Sequence, residues 1–314
     1  MKEKSNIRLS VIIPFFNVEK YIGCCLDSVY RQDIPESEYE VICVDDCSPD
    51  GSLSIVESYA IKHPNLKIVR NERNRKLGGA RNAGVEVALG NYIWFVDSDD
   101  LIEDNVLGTL CSIAEHDNLD VLHFNYENYP EKTPLHQLQD TEVMTGAAMF
   151  FDERFIWYHD LVTAWRKLYK RSFLIDNHIS FAEHIMWEDD DYSITVFAKA
   201  QAVRHINLTA YNYRNNPDSI TRVEYNSSHI YHWVELCYRL ERLRLSFKME
   251  RIDERFQMLI RNLIRFYFNK TFAVYKSFTK NERKESRIII RKSLAQFKGY
   301  ISKKNYFSFI FRQI

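Results

Sequence analysis

The 314-residue chain has only six cysteines (Cys24, Cys25, Cys43, Cys47, Cys111 and Cys237), which do not make a disulfide framework in a chain this long. Cys43 and Cys47 are too far apart for a CxxC pair and no second cysteine–histidine pair follows, so no zinc site is read and the thiols are expected to be buried or half-buried. No apolar run approaches the ~18–20 residues that a membrane span requires. The segment Met1-Lys2-Glu3-Lys4-Ser5-Asn6 lacks the apolar core of a signal peptide, which predicts a cytosolic protein. Internal repeats and low-complexity stretches are missing as well.

Net charge is almost missing too, at −1, but through cancellation. Residues 1–222 hold 22 Lys and Arg against 35 Asp and Glu, whereas residues 223–314 hold 20 against 8. The two parts therefore face different partners, or each other. Length and an apolar content of 46% suit a soluble protein with one large domain plus an appendage, or two domains.

What is present first is alternation. Leu9–Pro14, Tyr39–Val44, Leu66–Val69 and Tyr92–Val96 read as short strands, separated by helices over about Val18–Arg31, Ser52–Lys62 and Gly78–Leu89. That pattern predicts an α/β fold with a mostly parallel sheet, right-handed crossovers, and these strands' carboxyl ends on one side. Asp120–Phe124 adds a strand, Tyr129–Glu142 reads as a loop or flap, and His205–Tyr213 alternates like an edge strand or hairpin. From Tyr225 the chain turns helical and basic, with aromatics interleaved.

Ligands of open α/β sheets bind outside the carboxyl ends of the strands, and four such ends carry polar groups here. The first is Pro14-Phe15-Phe16-Asn17, where proline is expected to stop pairing. The second is Asp45-Asp46-Cys47-Ser48-Pro49-Asp50-Gly51. The helix after the third strand opens Lys76-Leu77-Gly78-Gly79-Ala80-Arg81-Asn82-Ala83-Gly84, and the fourth strand ends Asp97-Ser98-Asp99-Asp100. Two acids one residue apart can share a hard divalent cation and so reach a diphosphate. A strand-end aspartate can accept the imide N–H of uracil, and a glycine-rich helix start lets backbone approach phosphate. Each feature also has a plain structural reading. Asp99 or Asp100 would cap a helix beginning near Glu103, and Asp46 or Ser48 would cap the second helix. Gly78-Gly79 would allow close packing and Arg81 would lie on the surface. The stretch is not a GxGxxG fingerprint.

Taken in order, Ser10–Asn17, Val44–Gly51, Gly79–Gly84 and Phe95–Asp100 resemble the motifs of family-two glycosyltransferases with the GT-A fold, over roughly residues 8–222. The resemblance implies a nucleotide-sugar donor, commonly a UDP-sugar, bound on a rim that includes Pro14, Phe16, Asn17 and Ser98. It places Asp46 and Arg81 at base and diphosphate, Asp97 at ribose or metal, and Asp99 on Mg²⁺ or Mn²⁺. Phe16 stands where tyrosine is common and Cys47 where glycine is common. Trp165-Arg166-Lys167-Leu168-Tyr169 resembles the segment after the flap, with Lys167 near sugar or diphosphate. Tyr213-Arg214 through Thr221 resembles the closing end segment, with Arg214 near the leaving diphosphate. The implied domains are 1–222, with a nucleotide-binding half of about 8–125 and an acceptor half of about 126–222, and a helical basic extension over 223–314.

Trp187-Glu188-Asp189-Asp190-Asp191-Tyr192 resembles the family's Glu-Asp motif, whose aspartate deprotonates the acceptor hydroxyl in an inverting reaction. Glu188-Asp189 aligns best, making Asp189 the base, with Asp190 and Asp191 as the competing registers. Crowded carboxylates repel, which raises a pKa toward that of a general base. The plain alternative is that acids in a first turn offset the helix macrodipole.

In the basic tail, residues 283–296 and 298–314 mix cations with Ile288, Ile289, Leu294, Tyr300, Phe307 and Phe311. Such stretches suit peripheral contact of 280–314 with an anionic membrane, packing on the acidic domain, or a homodimer contact. No nucleic-acid module accompanies the charge. The expected partners are a nucleotide-sugar donor and a glycan or lipid-linked glycan acceptor, as in bacterial surface polysaccharide synthesis. A sugar nucleotidyltransferase would want an Arg-bearing glycine loop after the first strand, and an aspartyl-phosphate hydrolase its acid pair on that strand. A non-catalytic nucleotide-sugar sensor would have no use for the Glu188-Asp189 pair.

Overall fold

The computed structural model describes residues 7–134, 137–155, 160–216 and 225–301. Its residues cluster into two compact units: Met1–His184 with Tyr192–Asn216, and Ile185–Asp191 with Pro217–Ile314. The expected division at 222/223 falls in 217–224, outside the described residues.

The first unit is built on one sheet. Strands β1 (Leu9–Phe15), β2 (Tyr39–Asp45), β3 (Leu66–Arg70) and β4 (Tyr92–Phe95) alternate with helices α1 (Ile22–Val29), α2 (Ser52–Ala60) and α3 (Lys76–Val87). There follow β5 (Leu101–Ile102), α4 (Leu107–His116), β6 (Val121–Tyr129), β7 (Thr133–Pro134), α5 (Gly146–Phe150), β8 (Lys167–Lys170), α6 (Arg171–Asp176), α7 (Asp189–Lys199) and β9 (Val203–Arg214). The sheet order is β3-β2-β1-β4-β8-β6-β9-β5, with β7 paired to β6. The pairs among β3, β2, β1 and β4 are parallel, as the alternation predicts. Beyond β4 the sheet is mixed: β8 runs antiparallel to β4 and β6, β9 parallel to β6, and β5 antiparallel to β9. β1 and β2 are buried along their whole length, which is why they read as near-continuous apolar runs; the buried Ser10 Oγ donates to Glu40 Oε1 at 2.6 Å between them. Gly84 lets α3 lie close on β1, since a Cβ there would stand 2.4 Å from Ile12 Cγ2.

Three sequence expectations give way here. β1 does not stop at Pro14: Phe15 still pairs with Asp45, and the chain turns at Asn17, whose φ is +56°. β9 is not an edge strand, because β6 and β5 flank it. No helix begins near Glu103. Leu101–Ile102 pairs with β9 instead, Glu103 N donates to Ala210 O at 2.9 Å, and α4 starts only at Leu107.

Two buried histidines face each other across the β6–β9 register. His123 and His205 approach Nδ1 to Nδ1 at 2.8 Å, and Arg166 bonds Asp160 Oδ1 at 2.8 Å beside them. Burial, reinforced by the Arg166 charge, holds both imidazoles below their ordinary value, His205 at about 4.

The second unit carries α8 (Ser227–Met249), α9 (Glu254–Ser277) and α10 (Lys280–Phe297), in line with the helical reading from Tyr225 onward. The buried face of α9 is Phe256, Ile260, Leu263, Ile264, Tyr267 and Phe268, a helical-period apolar stripe that drives its packing. Asp253 caps α9 through Arg255 N, and a Thr279–Glu282 capping box starts α10. No helix among the described residues is long and apolar enough to cross a membrane.

Candidate functional site

In the first unit, the carboxyl ends of β1, β2 and β4 bring several of the sequence-predicted residues onto one rim. Pro14 is buried inside β1, Phe16 is 47% exposed, and Asn17 N donates to Ser48 Oγ at 3.3 Å, joining the first two strand ends. Asp46 is buried. Its Oδ1 accepts from Asn71 Nδ2 and from Arg75 N, both at 2.8 Å, so it ties the end of β2 to the loop before α3. Neither Asp46 nor Ser48 caps α2, whose N-cap is Gly51 with no side-chain bond. Arg75 in turn grips Glu183, Nη2 to Oε1 at 2.6 Å, a partnership with no local sequence signal.

Arg81 is not on the surface. It is 1% exposed, its Nη2 donates to Asp97 Oδ1 at 2.8 Å, and its guanidinium lies over Phe181. The ion pair thus links α3 to the turn after β4. At Gly79 a Cβ would meet Arg75 Cβ at 2.4 Å, so this glycine serves close packing.

The Asp97–Asp100 turn is held by the far end of β9. Asp100 Oδ1 accepts from Arg214 N and its Oδ2 from Tyr211 Oη, both at 2.7 Å. Asp99 Oδ2 accepts from Asn216 Nδ2 at 2.9 Å, and Arg214 Nε donates to Asp99 O at 2.7 Å. Both helix-cap readings of these acids therefore fail: their partners are on and just after β9. Burial raises the Asp99 carboxyl, and pushes Asp100 well above the carboxylate range with help from the charges of Asp99 and Asp97. Ser98 is buried between the two outer acids. Arg214 sits among aromatics, 4.8 Å over Tyr129 and 5.4 Å over Tyr21. Residues 217–221 of its segment lie outside the described residues.

Lys167 is placed differently. It is fully buried in β8, donates to Thr163 O and lies over the Phe197 ring, so it does not join the rim.

In the second unit, Glu188–Asp191 forms the acidic entry to α7. Three acids occupy the first turn, where the macrodipole favours them. The fully buried Tyr267 hydroxyl donates to Asp190 Oδ2, and Arg239 Nε donates to Asp191 Oδ2 at 2.7 Å. Burial pushes Asp190 up to about 7, against the lowering effect of Tyr267 and with the charges of Asp189 and Asp191 adding. Glu188, Asp190 and Asp191 are all buried, and Asp189 is the one half-exposed acid of the four.

Among the described residues, no group of three His, Cys, Asp or Glu side chains could hold a metal by itself. Asp97 and Asp99 are nevertheless hard-oxygen donors one residue apart, each with one oxygen bonded to a protein group. Two carboxylates completed by substrate phosphates are a usual magnesium arrangement, and this donor set fits it.

Comparison with known proteins agrees with this architecture. The family model for glycosyl transferase family 2 matches residues 10–177. A relative named an uncharacterized glycosyltransferase EpsJ, of Bacillus subtilis, is 34% identical over 227 residues, covering 69% of this chain and 64% of its own. A poly(ribitol-phosphate) beta-glucosyltransferase of Bacillus spizizenii is 31% identical over 204 residues, 63% of this chain and 30% of its own. The chain thus spans less than two thirds of either relative's length. Among solved structures, Staphylococcus aureus TarS 1-349 in complex with UDP-GlcNAc superposes with a TM-score of 0.69 at 22% identity, covering 95% of this chain and 83% of that one. That likeness carries the GT-A fold. With more than half of its length matched by the family model, the chain belongs to glycosyl transferase family 2.

Proposed function

We propose that the protein transfers a sugar, with inversion, from a nucleoside-diphosphate donor to a hydroxyl of a glycan or lipid-linked glycan in bacterial surface polysaccharide synthesis. The observation that carries this reading is the rim of Asp46, Asp97 and Asp99 at the ends of parallel strands in a family-two chain. A UDP-sugar is the favoured donor, since the TarS structure was solved with UDP-GlcNAc.

Asp46, fixed by Asn71 and Arg75, would receive the base, and Arg214 with the rim backbone would receive the diphosphate. Arg81 would act by orienting Asp97. Asp99 and Asp97 would hold Mg²⁺ or Mn²⁺, which when bound supplies Lewis-acid stabilisation of the leaving diphosphate. Asp189 takes the proton of the acceptor hydroxyl as it attacks the anomeric carbon opposite that leaving group. This choice of base is supported by exposure: Asp189 is half-exposed, whereas Glu188, Asp190 and Asp191 are buried. Orientation and leaving-group electrostatics then provide the catalysis. A cytoplasmic enzyme in peripheral contact with the membrane through 280–314 completes the proposal. It is supported by exposed Ile288 beside exposed Arg291 and Lys292 on α10, while 302–314 lie outside the described residues.

The test is slow hydrolysis of a nucleotide-sugar panel, with Mn²⁺ or with chelator, by wild type, Asp99→Ala and Asp189→Asn. Metal-dependent turnover of one donor, lost in both variants, is expected. A dead Asp190→Asn beside an active Asp189→Asn would move the base by one residue, and no donor binding with metal would sink the transferase reading.

A further inference from the structure

We propose that the outward face of α9, with the aromatic cluster beside it, binds the acceptor, and that this acceptor is an acidic glycan carrying phosphodiester or carboxylate groups. The inference rests on the transferase reading and names its acceptor class.

The face is a helical stripe. Asn262, Arg265, Phe266, Asn269, Lys270 and Ala273 recur at i, i+3, i+4, i+7, i+8 and i+11 and line one shallow, open surface patch. They lie opposite the buried stripe that packs α9 into the second unit. Phe266 is 57% exposed, a large ring held in water between cationic and amide neighbours. Such a ring offers a flat surface for the C–H face of a sugar, while the Asn262 amide carries donors and an acceptor for hydroxyls; Asn269 Nδ2 is held by Arg265 O at 2.7 Å and Tyr300 O at 3.5 Å.

The charge is one-signed. Arg255, Arg261, Arg265, Lys270 and Lys276 stand on α9 against the single acid Glu254. The ion pairs described within this unit engage Arg239, Arg242, Arg244 and Arg255, and none of them uses Arg265 or Lys270. Lys270 is also pre-oriented. Its Nζ lies 4.7 Å from the ring centre of Tyr225, 4.8 Å from that of Trp233 and 5.8 Å from that of Phe266. Cation–π contact fixes an ammonium without neutralising it, so the full charge is available to an anion.

The cluster continues toward the acidic turn of the same unit. Trp233 is 5.1 Å from Tyr225 and 5.4 Å from Trp187, ring centre to ring centre, and Trp187 precedes Asp189 by two residues. Exposed Phe266 and Tyr225, backed by the fully buried Trp233, therefore lie with the Asn262 amide and unneutralised cations on the unit that holds the candidate base. A membrane-binding face would instead show a continuous apolar stripe flanked by cations, whereas on this one the exposed Met258 and Phe266 are set among amides and cations.

The experiment is titration calorimetry of the whole protein with oligogalacturonate and with phosphomannan oligosaccharide, against their methyl-esterified and dephosphorylated forms. Vesicles containing phosphatidylglycerol are a parallel arm. The acidic forms are expected to bind about tenfold or more tighter than the neutral ones, with Lys270→Gln and Phe266→Ala each losing about tenfold and Lys270→Arg retaining affinity. Equal affinity for charged and neutral forms, or unchanged binding by both Lys270→Gln and Phe266→Ala, would overturn the proposal. So would binding confined to the vesicles, which would assign the face to a lipid surface. Nucleotide-sugar hydrolysis by the wild type is measured alongside. Its loss defeats the transferase reading, while hydrolysis without acidic-glycan binding defeats this inference alone.

Discussion

Arg81 Nη2 stands 2.8 Å from Asp97 Oδ1, and the two ends of this ion pair differ in exposure: the arginine side chain is 1% accessible and the aspartate 23%. The buried partner therefore depends on the wetter one. Removing one member of a buried pair leaves an uncompensated charge, at about 3–5 kcal/mol. Asp97→Ala is expected to cost an amount of that order in urea unfolding, and Asp97→Ala with Arg81→Met less than the sum of the singles. Strict additivity in the double-mutant cycle would show that the pair does not couple.

Tyr267 and Arg239 are expected to act through the acidic turn. Tyr267→Phe deprives the buried Asp190 of its hydroxyl donor, at about 1–3 kcal/mol of stability. If Asp189 is the base, Tyr267→Phe and Arg239→Met should lower kcat for transfer while the KM for the donor stays near wild type. A change confined to donor KM would separate this turn from the proton-transfer step.

The buried titratable groups of the two units give opposite pH dependences. Asp190 rises from 3.8 to about 7 in the fold, so it binds more protons than in the unfolded chain, and its contribution to stability is lost as pH rises through about 7. His205 falls from 6.5 to about 4, so its contribution is present above 6.5 and lost as pH falls toward about 4. Relative to wild type, Asp190→Asn should gain stability as pH rises between these values, by at most about 1.4 kcal/mol per pH unit. His205→Gln should lose relative stability over the same range. Thermal unfolding of the three proteins across that range reads both slopes, and parallel curves would refute the assignments.

Gly84 tests the packing of α3 on β1. A Cβ 2.4 Å from Ile12 Cγ2 cannot be absorbed by the far end of a flexible side chain, since Ile12 is itself fully buried. Gly84→Ala is expected to destabilise by about 1–3 kcal/mol. Gly23→Ala, where the nearest atom is 3.9 Å away, should not show that overpacking cost in the same melt.

Much of this was written locally. The near-continuous apolar runs of β1, β2 and β4 and their intervening helices announce a parallel sheet, because a strand buried on both faces has no polar side to alternate with. The order of the strand-end motifs named the family. The cationic excess after residue 223 marked a stretch of different character, and Arg265 and Lys270 on α9 are part of it.

What the sequence could not place were partners supplied from far along the chain. Nothing near Asp100 tells that β9 will return to bond it, so a helix near Glu103 was the natural local expectation. The carboxylate is satisfied instead by Tyr211 and Arg214, more than a hundred residues away. Nor does an arginine in a glycine-rich helix disclose that it will be buried on Asp97, or a lysine in a strand that it will turn into the core at Thr163. Periodicity fixes which face of an element is apolar, because that depends on neighbours in sequence. Which charge meets which depends on crossovers that only the folded sheet and helices complete.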